Sequence, residues 1–293
     1  MRNCFIQFLI LFFHQIFIEE ENIIRIMSKY LKKFENHIQY ENYINSSSAI
    51  LPNVSICTTE EDVHYKPYVE TRVVAKFNVT DTSKPTPIGY NNYISGFSEI
   101  EIDGVAQPSV VSAYTFNTTG EHTVKYTLTD PTTIGDDAFL ACTSLTSIDI
   151  PDSVTSIGNQ ALFNCNRLTS CTIGSGVTSI GSQAFQSCDF TSIDIPNSVI
   201  SIGNYAFAFC YSLTSCTIGS GVTTIGECAL YDCTGITSIT SYATTAPTIQ
   251  SKTFLNFKTG GTLTVPSGSS GYDVWMGTGN YYLGKYNWTK VEQ

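Results

Sequence analysis

The sequence predicts a mostly β fold: a solenoid of about six stacked units of 22–24 residues with short helical or irregular segments, preceded by a small β domain. Three observations predict it. The pairs Ile134-Gly135, Ile157-Gly158, Ile180-Gly181, Ile202-Gly203 and Ile225-Gly226 recur at spacings of 23, 23, 22 and 23 residues. Each unit carries a run in which apolar and polar residues alternate, as in Leu145-Thr-Ser-Ile148-Asp-Ile150, which is the pattern of a strand with one face inward. The segment before the repeats alternates as well, at Val73, Ala75, Phe77 and Val79, but has no 23-residue echo.

Residues 1–26 open with MRNCFIQFLILFFHQIF, a basic start followed by an apolar run long enough for a signal-peptide core and too short for a spanning helix. Glu19-Glu20-Glu21 follows, with no small-residue cleavage site. Two readings stand: an unusual export signal, or translated sequence upstream of a start at Met27. The second is favoured, because MSKYLKKFENHIQYENYI begins organised sequence at once. Residues 27–70 read as a small α/β element. Asn36 and Gln39 have capping-box spacing, Tyr40, Tyr43 and Ile44 share a helical face, and Leu51 to Tyr65 alternates like a hairpin around Thr58 to Glu61.

Residues 71–130 read as β. Ile100 and Ile102 precede an Asp103-Gly104 turn, and Tyr114-Thr-Phe116, then Asn117-Thr-Thr-Gly120, then Val124, Tyr126 and Leu128 form a hairpin pattern. The run YTFNTTGEHTVKYTLTD resembles the last two strands of bacterial immunoglobulin-like domains, which implies a small immunoglobulin-like unit. Such a unit is placed to shield the apolar edge of the first repeat from water.

Residues 131–266 form the solenoid. A sixth, degenerate unit places Ile249, Phe254, Phe257, Leu263, Val265 and Pro266 in the recurrent slots. Pro or Gly ends each strand, since Pro cannot donate to a ladder and Gly permits a sharp turn. An Ala-Phe pair and a Cys, such as Ala138, Phe139 and Cys142, supply the opposite wall. One unit cannot bury both walls alone, so units must stack. Units one and three share IDIP while two and four share CTIG, the mark of a duplicated pair. The third unit is one residue short, with Phe190 in the Leu slot. The strand motif L-x-x-[IC]-x-I matches the leucine-rich repeat pattern. The fuller signature I-G-x-x-A-F-x-x-C-x-x-L-T-S-I-x-I-P-x-S-V resembles the BspA-like class of bacterial surface leucine-rich repeats, from Thr132 to about Pro266. That resemblance implies a cell-surface protein of a host-associated bacterium, with adhesion to host matrix proteins as the expected activity and the exposed strand face as the expected docking surface.

Residues 267–293 are rich in Gly, Ser and Tyr and hold Trp275 and Trp288. TLTVPSGSSGYDVW resembles the terminal caps of the same repeat family. An aromatic cap over the last repeat is the favoured reading, and a carbohydrate-stacking platform the alternative.

Charge and residue usage exclude several functions. The net charge is −10, and between Pro131 and Thr240 eight acids face one base, Arg167. A surface of that sign repels phosphate backbones, which argues against a nucleic-acid partner. No later segment is apolar enough to span a membrane. The histidines, His14, His37, His64 and His122, all precede the repeats, so no solenoid Ser or Cys has a base within its own unit. His122 is expected to be an exposed strand residue. Gly174-Ser-Gly176 lacks the spacing of a phosphate-binding loop, and Asp136-Asp137 is expected at a solvated helix start. No catalytic residue, cofactor or metal is implied.

Ten cysteines are present. Cys142, Cys165, Cys188, Cys210 and Cys233 form a structural ladder at one slot, and Cys171 and Cys216 take strand positions held elsewhere by Ile. Buried reduced thiols packing as small apolar groups are the favoured state, with disulfides along the ladder as the alternative. Cys228 occupies a slot held by Asp137, Gln160, Gln183 and Tyr205 and is expected to be exposed.

A surface is left as the working part. Two columns of strand residues point outward: Ser147, Ser170, Ser192, Ser215 and Ser238, and Asp149, Thr172, Asp194, Thr217 and Thr240. Thr favours strands in any case, so the columns also suit a plain polar face. The expectation is a non-enzymatic surface or secreted recognition protein whose strand face binds a protein or glycan, with host matrix or mucin as the suspected ligand. A structural spacer or virion-associated component docking through residues 27–70 is the alternative. A start at Met27 without an export signal would leave the protein cytoplasmic.

Overall fold

A computed structural model describes residues 72–90 and 94–293. The predicted capping box and hairpin of residues 27–70, and the apolar segment before them, lie outside the described residues. Six strands precede the repeats: β1 (Val73–Val79), β2 (Thr86–Pro87), β3 (Phe97–Ile102), β4 (Val105–Ala106), β5 (Ala113–Tyr114) and β6 (Gly120–Leu128). β1, β6, β3 and β4 pair antiparallel, and β2 and β5 form a separate ribbon. Asp103 and Gly104 turn the chain from β3 to β4 with φ of 49° and 81°, the left-handed pair that a tight hairpin needs.

Each solenoid turn then contributes a short and a long strand. The short strands are β7 (Thr133–Ile134), β9 (Ser156–Ile157), β11 (Ser179–Ile180), β13 (Ser201–Ile202), β15 (Thr224–Ile225) and β17 (Thr248–Ile249), stacked as one parallel six-stranded sheet. The long strands are β8 (Leu145–Asp149), β10 (Ser170–Thr172), β12 (Ser192–Ile195), β14 (Ser215–Ile218), β16 (Ser238–Ser241) and β18 (Thr262–Val265). A seventh, β19 (Thr289–Glu292), comes from the C-terminal segment and pairs parallel with β18.

The opposite wall is not helical, and no α-helix occurs among the described residues. Each unit instead makes successive tight turns with left-handed residues four positions apart, for example Asp137 and Ala141 with φ of 55° and 56°. Alternate N–H groups point along the solenoid axis. Those of Asp137, Phe139 and Ala141 donate to the carbonyls of Asn159, Ala161 and Phe163 in the next unit, while those of Leu140 and Cys142 close the local turns. Every other amide is thus committed to the neighbour, which leaves no room for an α-helical bond pattern.

Between the walls lies one continuous core: Ala138, Phe139, Cys142, Leu145 and Ile148 and their equivalents in the regular units, Cys171 apart, are nearly inaccessible to water. The strand-ending glycines are set by crowding. A Cβ on Gly176 would lie 2.0 Å from the Asp152 oxygen of the unit before it, and one on Gly181 would lie 2.6 Å from the backbone of Gly158. Gly135 begins the stack and has nothing within 4 Å.

Both ends are covered. At the first repeat β1 pairs antiparallel with β8, joining Ala75 to Ile148 and Phe77 to Leu145, and the rings of Phe97, Tyr126 and Phe139 meet at centroid distances of 4.8–5.5 Å. At the last, Trp288 packs under Gly261, and the indole N–H groups of Trp275 and Trp288 donate to the carbonyls of Pro247 and Lys258. Trp275 and Trp288 are 1% and 5% exposed, so these rings fill the core and offer no stacking platform.

Candidate functional site

The long strands bring the predicted columns into register. Ser147 pairs with Ser170 and Asp149 with Thr172. After a gap, Ser192, Ser215, Ser238 and Thr262 form one row, and Asp194, Thr217, Thr240 and Thr264 another. Asp149, Ser170, Thr172, Ser192 and Asp194 are exposed, whereas Ser147, Ser215, Thr217, Ser238 and Thr240 are half-buried. The face is therefore most open at its N-terminal half.

The gap is the main irregularity. β10 belongs to the sheet that runs through β8 to the antiparallel strands, and β12 begins a second sheet. No ladder joins the two. The cause is the missing residue of the third unit. In neighbouring units the slot leucine closes a turn onto the ladder cysteine, as Leu168 does onto Cys165 and Leu213 onto Cys210. With one residue fewer between Cys188 and Phe190, the N–H of Asp189 donates instead to the Leu168 carbonyl. The regular bond between Thr residues at the strand entrance, made by Thr169 to Thr146 and Thr214 to Thr191, then has no counterpart from Thr191. Phe190 fills the shortened turn and meets Phe185 and Phe207 edge-on.

A cleft of about 270 Å³ opens at this break, lined by Thr169, Ser170, Cys171, Thr172 and Ile173 on one side and Ser192, Asp194 and Pro196 on the other. Cys171 is partly exposed there, while its counterpart Cys216 is 1% exposed in an intact stretch of ladder.

The cysteine ladder lies elsewhere. Cys142, Cys165, Cys188, Cys210 and Cys233 are free and buried. From the second unit onward each thiol donates to a carbonyl of the unit before it: Cys165 to Phe139, Cys188 to Leu162, Cys210 to Phe185 and Cys233 to Phe207, at 3.1–3.4 Å. Burial pushes the thiols of Cys165 and Cys216 up to about 12, and that of Cys171 higher still, with Asp149 adding to burial there. None of these is a thiolate near neutral pH.

Several expectations need correcting. Cys228 is 1% exposed although it lies outside the continuous core: the side chain of Tyr205, in the same slot of the preceding unit, lies against it. His122 is 8% exposed, with Nδ1 2.7 Å from Asp103 Oδ2 and Nε2 2.9 Å from the Thr118 carbonyl. Asp136 and Asp137 sit in a turn, and Asp136 accepts the N–H of Asn159 in the next unit. Asp152, Asn159, Asn197 and Asn204 accept N–H groups in the same way, so much of the corner polarity is structural. Sequence reasoning also missed the strand-entrance threonines. The hydroxyls of Thr169, Thr214 and Thr237 donate to carbonyls one unit back, a signal present in the L-T-S triplets of units two and four and the I-T-S of unit five. Among the described residues, no cluster of His, Cys, Asp or Glu is placed to hold a metal ion, and no helix is long and apolar enough to cross a membrane.

The family profile described as BspA type leucine rich repeat region matches residues 132–260 in six copies. These residues are a BspA-type leucine-rich repeat region. Among solved structures, the leucine-rich repeat protein of Treponema pallidum is 27% identical with a TM-score of 0.34, covering 37% of this chain and 51% of that one. A leucine-rich repeat protein from Bacteroides ovatus is 20% identical with a TM-score of 0.24, covering 52% and 61%. A leucine rich cell surface protein from Faecalibacterium prausnitzii is 18% identical with a TM-score of 0.18, covering 56% and 79%. The chain thus spans about half the length of the first of these structures. The comparison with curated proteins finds no match.

Proposed function

We propose that this is a non-catalytic surface or secreted recognition protein that binds a protein or glycan through the long-strand face of its repeats. The observation that carries the reading is the registered pair of columns, whose hydroxyls and carboxylates stand at one level per turn and are exposed from Asp149 to Asp194. A regular array of donors and acceptors at strand spacing makes many modest hydrogen bonds to an extended ligand. The thiols of Cys165, Cys188 and Cys233, pushed up by burial and bonded to carbonyls, support a scaffold role for the cysteines rather than nucleophilic chemistry. The BspA-type repeats and the bacterial relatives support a surface location. The test is joint alanine replacement of Asp149, Thr172, Asp194 and Thr217 in the full chain. Binding to immobilised host matrix protein or mucin should fall by at least tenfold with the circular dichroism spectrum unchanged, and undiminished binding would remove the strand face from the proposal.

A further inference from the structure

The break in the long-strand ladder has no part in holding the solenoid together, and the short-strand sheet passes it without interruption. What it does is expose groups that every other turn conceals. The facing edges of β10 and β12 exchange no ladder hydrogen bonds, so backbone donors and acceptors of two extended segments border one open cleft. Its rim adds the hydroxyls of Ser170, Thr172 and Ser192 and the carboxylate of Asp194. Asp149 stands beside Thr172 on the neighbouring strand. Among the described residues Asp194 has no ion-pair partner within 4.0 Å, and the only base between Pro131 and Thr240 is Arg167, whereas Lys76 of β1 lies close enough to Asp149 to offset part of its charge.

Resting on the strand-face reading, we propose that this cleft receives an extended, cationic peptide segment of a protein partner, with one Lys or Arg side chain directed to Asp194. Two features select this ligand over a neutral glycan. Edge amides and carbonyls of β10 and β12 that are freed from the ladder bond the main chain of a peptide crossing the gap, since the two strands still approach within 8 Å and admit no further strand between them. The surplus of carboxylate over base rewards a positive charge, which a neutral sugar does not carry. The open volume of about 270 Å³ has room for a long side chain, and Cys171 and Ile173 give its methylenes an apolar wall.

The experiment uses the full-length chain and fluorescence anisotropy with three probes: an acetylated eight-residue peptide alternating Lys and Val, the same peptide with Glu for Lys, and a neutral N-acetyllactosamine oligomer. The Lys peptide is expected to bind, more weakly as salt is raised. Asp194→Asn should weaken it about tenfold, while Asp152→Asn, which removes one acid at a solenoid corner, should leave it unchanged. Circular dichroism confirms that both variants fold. The proposal is overturned if the Lys peptide does not bind, if the two variants act equally, or if the Glu peptide or the sugar binds as well as the Lys peptide. Failure here is separable from failure of the strand-face reading. A joint alanine variant that loses matrix or mucin binding, while Asp194→Asn leaves peptide binding intact, removes the cleft proposal alone. A joint variant that keeps matrix and mucin binding, beside a peptide that depends on Asp194, removes the broad face alone.

Discussion

The thiol of Cys165 lies 3.1 Å from the carbonyl oxygen of Phe139, one solenoid turn before it. Repetition of this contact at Cys188, Cys210 and Cys233 makes the cysteine column a set of inter-turn hydrogen bonds as well as a strip of core. Cys165→Ala should lower stability by about 1–2 kcal/mol, through the lost sulfur packing and weakened satisfaction of a carbonyl that keeps its bond from the Cys142 N–H. The shift of the urea midpoint measures it, and an unchanged midpoint would reduce the column to interchangeable filler.

Crowding at the corners makes glycine substitutions depend on their place in the stack. Gly176→Ala drives a Cβ to 2.0 Å from the Asp152 oxygen and should cost about 2–3 kcal/mol. Gly135→Ala occupies the equivalent of Gly181 in a unit with no repeat before it, and should stay within about 0.5 kcal/mol. Thermal unfolding of the two variants side by side checks the contrast. Equal losses would show that inter-turn contact is not what selects glycine.

The short third unit predicts a repair. One Ala inserted between Asp189 and Phe190 restores the 23-residue spacing and should let β12 pair with β10. Cys171 is the only thiol among the described residues that is not buried, so access to the reagent, and not ionisation, should have it alkylated ahead of the seven others in the parent chain. In the repaired chain that reaction should slow several-fold. Mass spectrometry of iodoacetamide-treated protein at mildly alkaline pH reads both rates, and an unaltered rate would assign the break to something other than the missing residue.

His122 gives the β unit a pH dependence. Burial opposes its positive charge, but Asp103 and the Thr118 carbonyl both accept from the ring, and the net effect raises its pKa above 6.5. A raised folded value means that the stabilisation is complete below the unfolded pKa and is lost as pH rises through the folded one. Stability should therefore decline from about pH 6 upward by more in the parent chain than in His122→Gln. Chemical denaturation at a series of pH values tests this, and parallel profiles for the two proteins would count against it.

The sequence by itself determined the repeat, its period, the apolar slots and the outward columns, because a 23-residue echo leaves only stacked units to bury both walls. It also marked Phe190 and the short third unit. The left-handed turns at Asp137 and Ala141 were not legible, because their amides are satisfied by the next turn rather than by local residues. The same reason hid the burial of Cys228, which depends on Tyr205 one turn away, and the role of Thr169, whose partner is Thr146. Only the tertiary structure decided that one missing residue opens the ladder between β10 and β12 while the short strands stay paired. A strand's pattern says which face is buried; whether its edge meets a neighbour depends on the register of two turns brought together through space.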